Sequence, residues 1–278
     1  MEDPDRGTVE LRGRLRRPPG SDGVVVLVHG LGGGMDSAYV ASATAACDAA
    51  GLATLRLGLR GSDGIGGDFY HAGLTSDIAA ALASPELAGF SRLALLGFSL
   101  GGHVVLRYAC ERPDPRLRAV AAVCAPLDLR LAQRSFDHWK VWPYRAYVLG
   151  RLKRTYAALA RNAILPTPVE VVGRARTLRE LDRLTVVPRF GFADPEDYYR
   201  RASVGPLLAD LAVPSLLVAC PGDPMVSSAA IRDAGPASPR LDVRWVRGGH
   251  VFFPPGLSLG EAGPSGLEAQ LAAWLRRQ

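Results

Sequence analysis

Lysine is almost missing from this 278-residue chain. Lys140 and Lys153 are the only two, and the other 31 of the 33 basic residues are arginines. So much arginine beside so much alanine and glycine reflects GC-rich coding as much as a binding duty. Cysteine is scarce as well. Cys47, Cys110, Cys124 and Cys220 form no C-x-x-C pair, and no Cys/His group has zinc-site spacing, so no metal is expected. No apolar run reaches the length of a membrane span, which excludes a transmembrane segment. The N-terminal stretch has no apolar h-region, which excludes a secretory signal there. Four cysteines without such a leader read as reduced, buried thiols, and a cytoplasmic location is expected. Internal repeats and low-complexity linkers are absent too.

What is present is ordinary globular material. The chain is 48% hydrophobic and 22% charged, which excludes wholesale disorder and allows one large domain or two small ones. The net charge of +6 is unevenly placed. Residues 127–206 hold 15 basic and 8 acidic residues, a surplus of 7, and the remainder is close to neutral at −1. No nucleic-acid-binding module accompanies the surplus, so nucleic acid is not an expected partner.

The apolar pattern alternates strand and helix. A hairpin is expected from Thr8 to Leu15. The β-branched run Val24–Val28 predicts a buried strand, followed by the glycine-rich turn His29-Gly30-Leu31-Gly32-Gly33-Gly34. Helix follows from about Ser37 to Ala50, strand from Ala53 to Leu57, helix from about Thr75 to Ala83, and strand from Leu93 to Leu96. Next come Gly97-Phe98-Ser99-Leu100-Gly101, a helix to about Glu111, and the strand Ala119–Cys124. Such alternation builds a mostly parallel, doubly wound sheet, an α/β fold.

Residues 127–206 interrupt it. They read as helical, with Val148, Leu152, Tyr156, Leu159 and Ala163 on one stripe. Thr177-x-x-Glu180 is a capping box, and Asp194-Pro195 a capped helix start. The alternation resumes with strands Ser215–Ala219 and Leu241–Val246, a helix Ser228–Ala234 between them, and a closing helix Leu267–Arg276. The expected organisation is a core of 1–126 and 207–278 with a helical cap, 127–206, inserted after the sixth strand.

Gly97-x-Ser99-x-Gly101 between strand and helix is a nucleophile elbow. The sharp turn lifts a serine hydroxyl above the sheet, and small flanking residues avoid clashes across it. Serine needs a base. Of His29, His71, His103, His138 and His250, only His250 follows the last strand, where the fold's order of serine, acid, histidine requires it. The acid is Asp223, in the Gly222-Asp223-Pro224 turn after Ser215–Ala219, with Asp128 in reserve. Oxyanion donors are expected from the Leu100 N–H and the Leu31 N–H. His29 is expected to order its loop. His103 is expected to pack or to line the pocket, and no partner can be named for His138.

These residues resemble the α/β-hydrolase superfamily along nearly the whole chain. Within it they are similar to the YheT-like hydrolases, relatives of eukaryotic α/β-hydrolase-domain lipases and yeast medium-chain ethyl ester synthases. The matching pieces are His29-Gly30-Leu31-Gly32-Gly33, Arg60-Gly61, Tyr70-His71-Ala72-Gly73-Leu74-Thr75-x-Asp77, Gly97–Gly102, Asp197–Ser203, Asp223-Pro224-Met225-Val226 and Gly249-His250-Val251. The resemblance implies a Ser99–Asp223–His250 triad acting on acyl groups. Two positions depart from the family: His103 replaces an asparagine, and Ser62 a cysteine.

Three functions compete. The first is a serine hydrolase of carboxylic esters or thioesters. The second is an acyltransferase using the same triad with an alcohol or amine acceptor. The third is a non-catalytic binding protein on the same fold. The expected partner is a small acyl substrate, with no cofactor. Trp139, Val141, Trp142, Tyr144, Tyr147 and Val148 form an apolar and aromatic cluster in the cap that is expected to wall an acyl pocket, with Trp139, Trp142 and Tyr147 binding substrate, although packing of cap on core explains the cluster as well. The basic cap would suit an anionic substrate or acyl carrier, or an acidic lipid surface. A solvated arginine face is the plainer reading.

Overall fold

The computed structural model describes the chain apart from residues 4–6, 112 and 235–237, with only the backbone described at 2 and 3. Its central sheet has seven strands: β1 (Arg12–Arg16), β2 (Gly23–Val28), β3 (Ala53–Gly58), β4 (Arg92–Phe98), β5 (Leu117–Val123), β6 (Ser215–Ala219) and β7 (Leu241–Trp245). The order is β1-β3-β2-β4-β5-β6-β7. Only β1 runs antiparallel.

The central strands are continuous apolar runs because both faces are covered. Val24, Val26 and Val28 meet α2 (Ser76–Leu82) and α3 (Leu100–Cys110), while Val25 and Leu27 meet α1 (Ala38–Ala49) and α11 (Leu267–Arg277). The edge strand β1 is different. Its residues are all exposed and three of its five are arginines, a composition that discourages pairing with another chain.

The N-terminal expectation needs correction here. Thr8–Leu15 is no hairpin. Gly7–Thr8 pairs with Glu2–Asp3, and Arg12–Arg16 crosses to β3. Arg16, Arg14 and Arg12 reach Asp48, Asp36 and Glu10 with their side chains, contacts an isolated hairpin would not offer to all three. The insert therefore leaves the sheet after its fifth strand.

Between β5 and β6 the chain forms α4 (Leu129–Asp137), α5 (Trp142–Leu159), α6 (Val169–Val172), α7 (Leu178–Leu184), α8 (Val186–Phe190) and α9 (Pro195–Ala202). Among the described residues, 127–206 contain no strand. The caps read from sequence are present. Thr177 Oγ1 accepts from the Glu180 N–H at 3.1 Å, and the Asp194 carboxylate from the Asp197 N–H at 2.8 Å. Glu180 reaches the Arg176 N–H, one residue earlier than a capping box predicts. The stripe of α5 stops at Leu159, so Ala163 lies beyond its helix.

Two buried groups tie this insert to the sheet. His103 on α3 is fully buried, with Nδ1 2.6 Å from the Pro126 carbonyl and Nε2 2.8 Å from the Ala202 carbonyl. It thus touches both ends of the insert. Burial lowers its pKa to about 4. Arg60, after β3, is equally buried and pairs with Asp77 and Asp68. Arg189 of α8 joins Asp68 from the insert side.

Candidate active site

Ser99 stands between β4 and α3 with φ 52° and ψ −120°, a backbone that serine rarely adopts. The glycines around it answer a steric need. A Cβ on Gly97 would lie 2.3 Å from the Gly101 carbonyl oxygen, and one on Gly101 would lie 2.4 Å from the carbonyl oxygens of Val28 and His29. No larger residue fits either position, so the spacing of the motif follows from backbone packing.

His250 lies on the loop after β7, and its Nε2 is 2.7 Å from Ser99 Oγ. Its Nδ1 is 2.8 Å from Asp223 Oδ2, on the turn after β6. Asp223 Oδ1 accepts from the N–H groups of Met225 and Val226. Burial alone would raise this carboxyl. The hydrogen bond and charge of His250, the Met225 N–H and the Cys124 thiol outweigh it, and the acid sits below the ordinary carboxylate range. The three side chains come from three loops at one edge of the sheet, where open parallel sheets place their ligands.

Asp128, the reserve acid, instead caps α4 by accepting from the Leu131 N–H. His138 accepts from the Lys140 N–H at a short turn and is exposed. His29 is buried; its Nδ1 donates to the Gly30 carbonyl, and burial holds its pKa near 4. That fits the ordering role expected for it.

Cys124 and Cys220 lie beneath the acid, with sulfurs 3.9 Å apart. Contact with Cys220, burial and the neighbouring Asp223 hold Cys124 as a neutral thiol. No cysteine is in a disulfide. Among the described residues, the cluster compact enough for a metal ion is Cys124, Asp223 and His250, with ligand atoms within 4.8 Å of one another. Its acid and imidazole are already bonded to each other.

Leu31 and Leu100 line the same cavity as Ser99, and neither backbone N–H has an acceptor among the described residues. The turn carrying Leu31 is held from three sides. Tyr39 Oη accepts from the Gly30 N–H at 3.0 Å and Tyr70 Oη from the Gly32 N–H at 2.8 Å, while Arg151 of α5 donates to the Gly32 carbonyl. Sequence reading named no role for these three residues. Tyr70 carried a signal, since it opens one of the motifs that the resemblance rests on.

The cavity above Ser99 measures about 320 Å³ and is mostly apolar. Its sheet-side wall includes Leu31, Leu100, Met225 and Val251, and its insert-side wall includes Leu129, Phe136, Val148, Leu152 and Val186. Of the cluster expected to wall it, Tyr144, Tyr147 and Val148 do. Trp139 and Trp142 are absent from the lining and are 69% and 60% exposed. Neither the pocket wall nor the cap-to-core packing expected of them is found. The reason is helical phase. Trp142 opens α5 about 120° around the axis from Val148, and Trp139 precedes the helix.

Comparison with known proteins agrees with this architecture. The model of the alpha/beta hydrolase fold family matches residues 23–257. The chain is 29% identical to "Putative esterase YheT" of Escherichia coli (strain K12) over 259 residues, 90% of this chain and 76% of that protein. It is 26% identical to "Medium-chain fatty acid ethyl ester synthase/esterase 2" of Saccharomyces cerevisiae over 260 residues, 83% of this chain and 58% of that one. Among solved structures, a hydrolase from Pseudomonas aeruginosa PA01 superposes with a TM-score of 0.56 at 20% identity, covering 90% of each chain. Est1E from Butyrivibrio proteoclasticus, bound to ferulic acid, gives 0.55 at 17% identity, covering 88% of each. These structural likenesses carry the fold alone.

Proposed function

The chain belongs to the α/β-hydrolase fold family, and from that premise we propose that it cleaves a carboxylic ester or thioester through an acyl-enzyme on Ser99. The observation that carries this reading is the unbroken hydrogen-bond chain from Ser99 Oγ through His250 to Asp223 at the floor of an apolar cavity. Ser99 Oγ attacks the acyl carbon while His250 Nε2 takes its proton. Asp223 keeps the other ring nitrogen protonated and stabilises the imidazolium. The carbonyl oxygen gains negative charge and is met by the N–H groups of Leu31 and Leu100, aided by the N-terminus of α3. His250 returns its proton to the departing alcohol or thiol. Water then attacks the acyl carbon with His250 as base, and Ser99 is released.

In this reading 1–126 and 207–278 are the catalytic core and 127–206 the cap that closes over the acyl group. The cap's positive charge plays no part inside the cavity, whose lining contains no lysine or arginine. An anionic substrate group or acyl carrier would meet the cap outside it, where Arg151 lines an adjoining groove with Tyr147 and Phe252.

A fluorophosphonate probe tests the reading. Labelling of the wild type is expected, with none for Ser99→Ala, and turnover of p-nitrophenyl esters should fall about 10⁵-fold in that variant. A wild type that neither labels nor turns over would leave a binding protein. The apolar lining favours one second reading, acyl transfer, because a dry pocket slows hydrolysis. Added alcohol acceptors would then yield new esters in place of free acid.

A further inference from the structure

One charged side chain faces the apolar cavity from the cap. Asp182 on α7 is 7% exposed and lines the same space as Ser99. Its Oδ2 accepts from the Tyr199 hydroxyl, on α9, at 2.7 Å. Among the described residues no donor reaches Oδ1, and no lysine or arginine pairs with the carboxyl. The second oxygen is therefore left to the cavity. That oxygen is open to whatever fills the cavity.

We propose that Asp182 is a specificity-determining residue that hydrogen-bonds a substrate hydroxyl remote from the scissile carbonyl. The preferred esters are then hydroxylated ones. This deepens the esterase reading and rests on Ser99 being the nucleophile in the same cavity. A hydroxyl is favoured over other polar groups by the state of the acid. Burial raises its pKa, the Tyr199 hydrogen bond opposes that and the nearby Asp137 charge adds to it, and the result is about 7. Near neutrality both protonation states are therefore populated. The neutral acid gives and takes hydrogen bonds and the carboxylate only takes. A hydroxyl matches either form. A substrate ammonium would match only the carboxylate. A substrate carboxylate would be repelled by it and would find no lysine or arginine in the lining.

The hydroxyl could belong to the acyl part or to the alcohol part of the ester, and the probes separate the two. Ethyl ω-hydroxyalkanoates of graded length carry it on the acyl side, and 2-hydroxyethyl alkanoates on the other. Plain ethyl alkanoates of equal length are the reference. The wild type should prefer one hydroxylated series by at least tenfold in kcat/KM. Asp182→Leu should bring the ratio to within twofold. Asp182→Asn should retain the preference, since its amide still reaches a hydroxyl.

No preference in either series at any length would overturn the proposal, and this needs no variant to fold. So would an unchanged ratio in Asp182→Leu, or equal loss on both esters. Ser99→Ala reads the same ratio as ester affinity by calorimetry, without turnover. Absent turnover with intact discrimination in binding would sink the esterase reading alone. Turnover without discrimination would sink this one alone.

Discussion

The cavity has two walls of different make. The sheet-side wall is built by backbone. Ser99 holds a strained conformation, the Leu31 and Leu100 N–H groups are peptide groups, and Gly97 and Gly101 are required by carbonyl oxygens closer than 2.5 Å to any added Cβ. The cap wall is built by side chains of short helices. Leu129, Phe136, Leu152 and Val186 fill space without touching the triad's hydrogen bonds. In the reading proposed above, chemistry belongs to the first wall, where positions such as Gly97 and Gly101 admit one residue type. In the same reading selection belongs to the second, where volume and the carboxyl of Asp182 matter and many residues would fold.

That contrast predicts a gradient of effects. The largest beyond the nucleophile itself is at Asp223. Asp223→Asn keeps the side chain's shape but lets the amide donate to His250 Nδ1, so that Nε2 carries the proton and cannot take one from Ser99. The turnover number should fall about 10⁴-fold with the melting temperature nearly unchanged. A loss below tenfold would mean that the sheet wall tolerates change as the cap wall does.

A smaller effect is expected at Tyr70, which stands behind the turn that carries Leu31. Tyr70→Phe leaves the Gly32 N–H without its acceptor at 2.8 Å and loosens the peptide next to Leu31. A cost of about 1–3 kcal/mol in transition-state binding corresponds to roughly a 5- to 150-fold loss in kcat/KM. The loss should appear in kcat more than in KM, because the oxyanion forms only after attack. A change confined to KM would place Tyr70 with the cap wall.

The same contrast explains what could be read from sequence. Ser99, Asp223 and His250 were legible because a strained elbow imposes glycines at fixed offsets and because the fold orders its loops along the chain. The positions of Leu31 and Leu100 beside Ser99 were legible for the same reason. Asp182 and Tyr199 were not. They are seventeen residues apart on separate helices, and only the packing of α7 on α9 brings them to 2.7 Å. Tyr39 and Tyr70 act through single hydroxyls on a turn 9 and 38 residues away. Trp139 and Trp142 misled because an aromatic cluster signals burial only once helical phase is known. At the N-terminus, alternating arginines obscured an edge strand, since the acidic partners that hold it in place come largely from elsewhere in the chain.

The smallest effect is the sharpest test of the cap wall. Trp142 is 60% exposed and off the lining face of α5, whereas Leu152 lines the cavity from the same helix. Trp142→Ala should change stability by less than about 0.5 kcal/mol and leave the preferred acyl length where it was. Leu152→Ala removes apolar volume from the lining, so it should favour a longer acyl chain, by up to about tenfold in the ratio of kcat/KM values. The measurement is a chain-length series of p-nitrophenyl esters on both variants. If Trp142→Ala moved the optimum and Leu152→Ala did not, the exposed aromatic face of α5, and not the lumen, would be what meets the acyl chain.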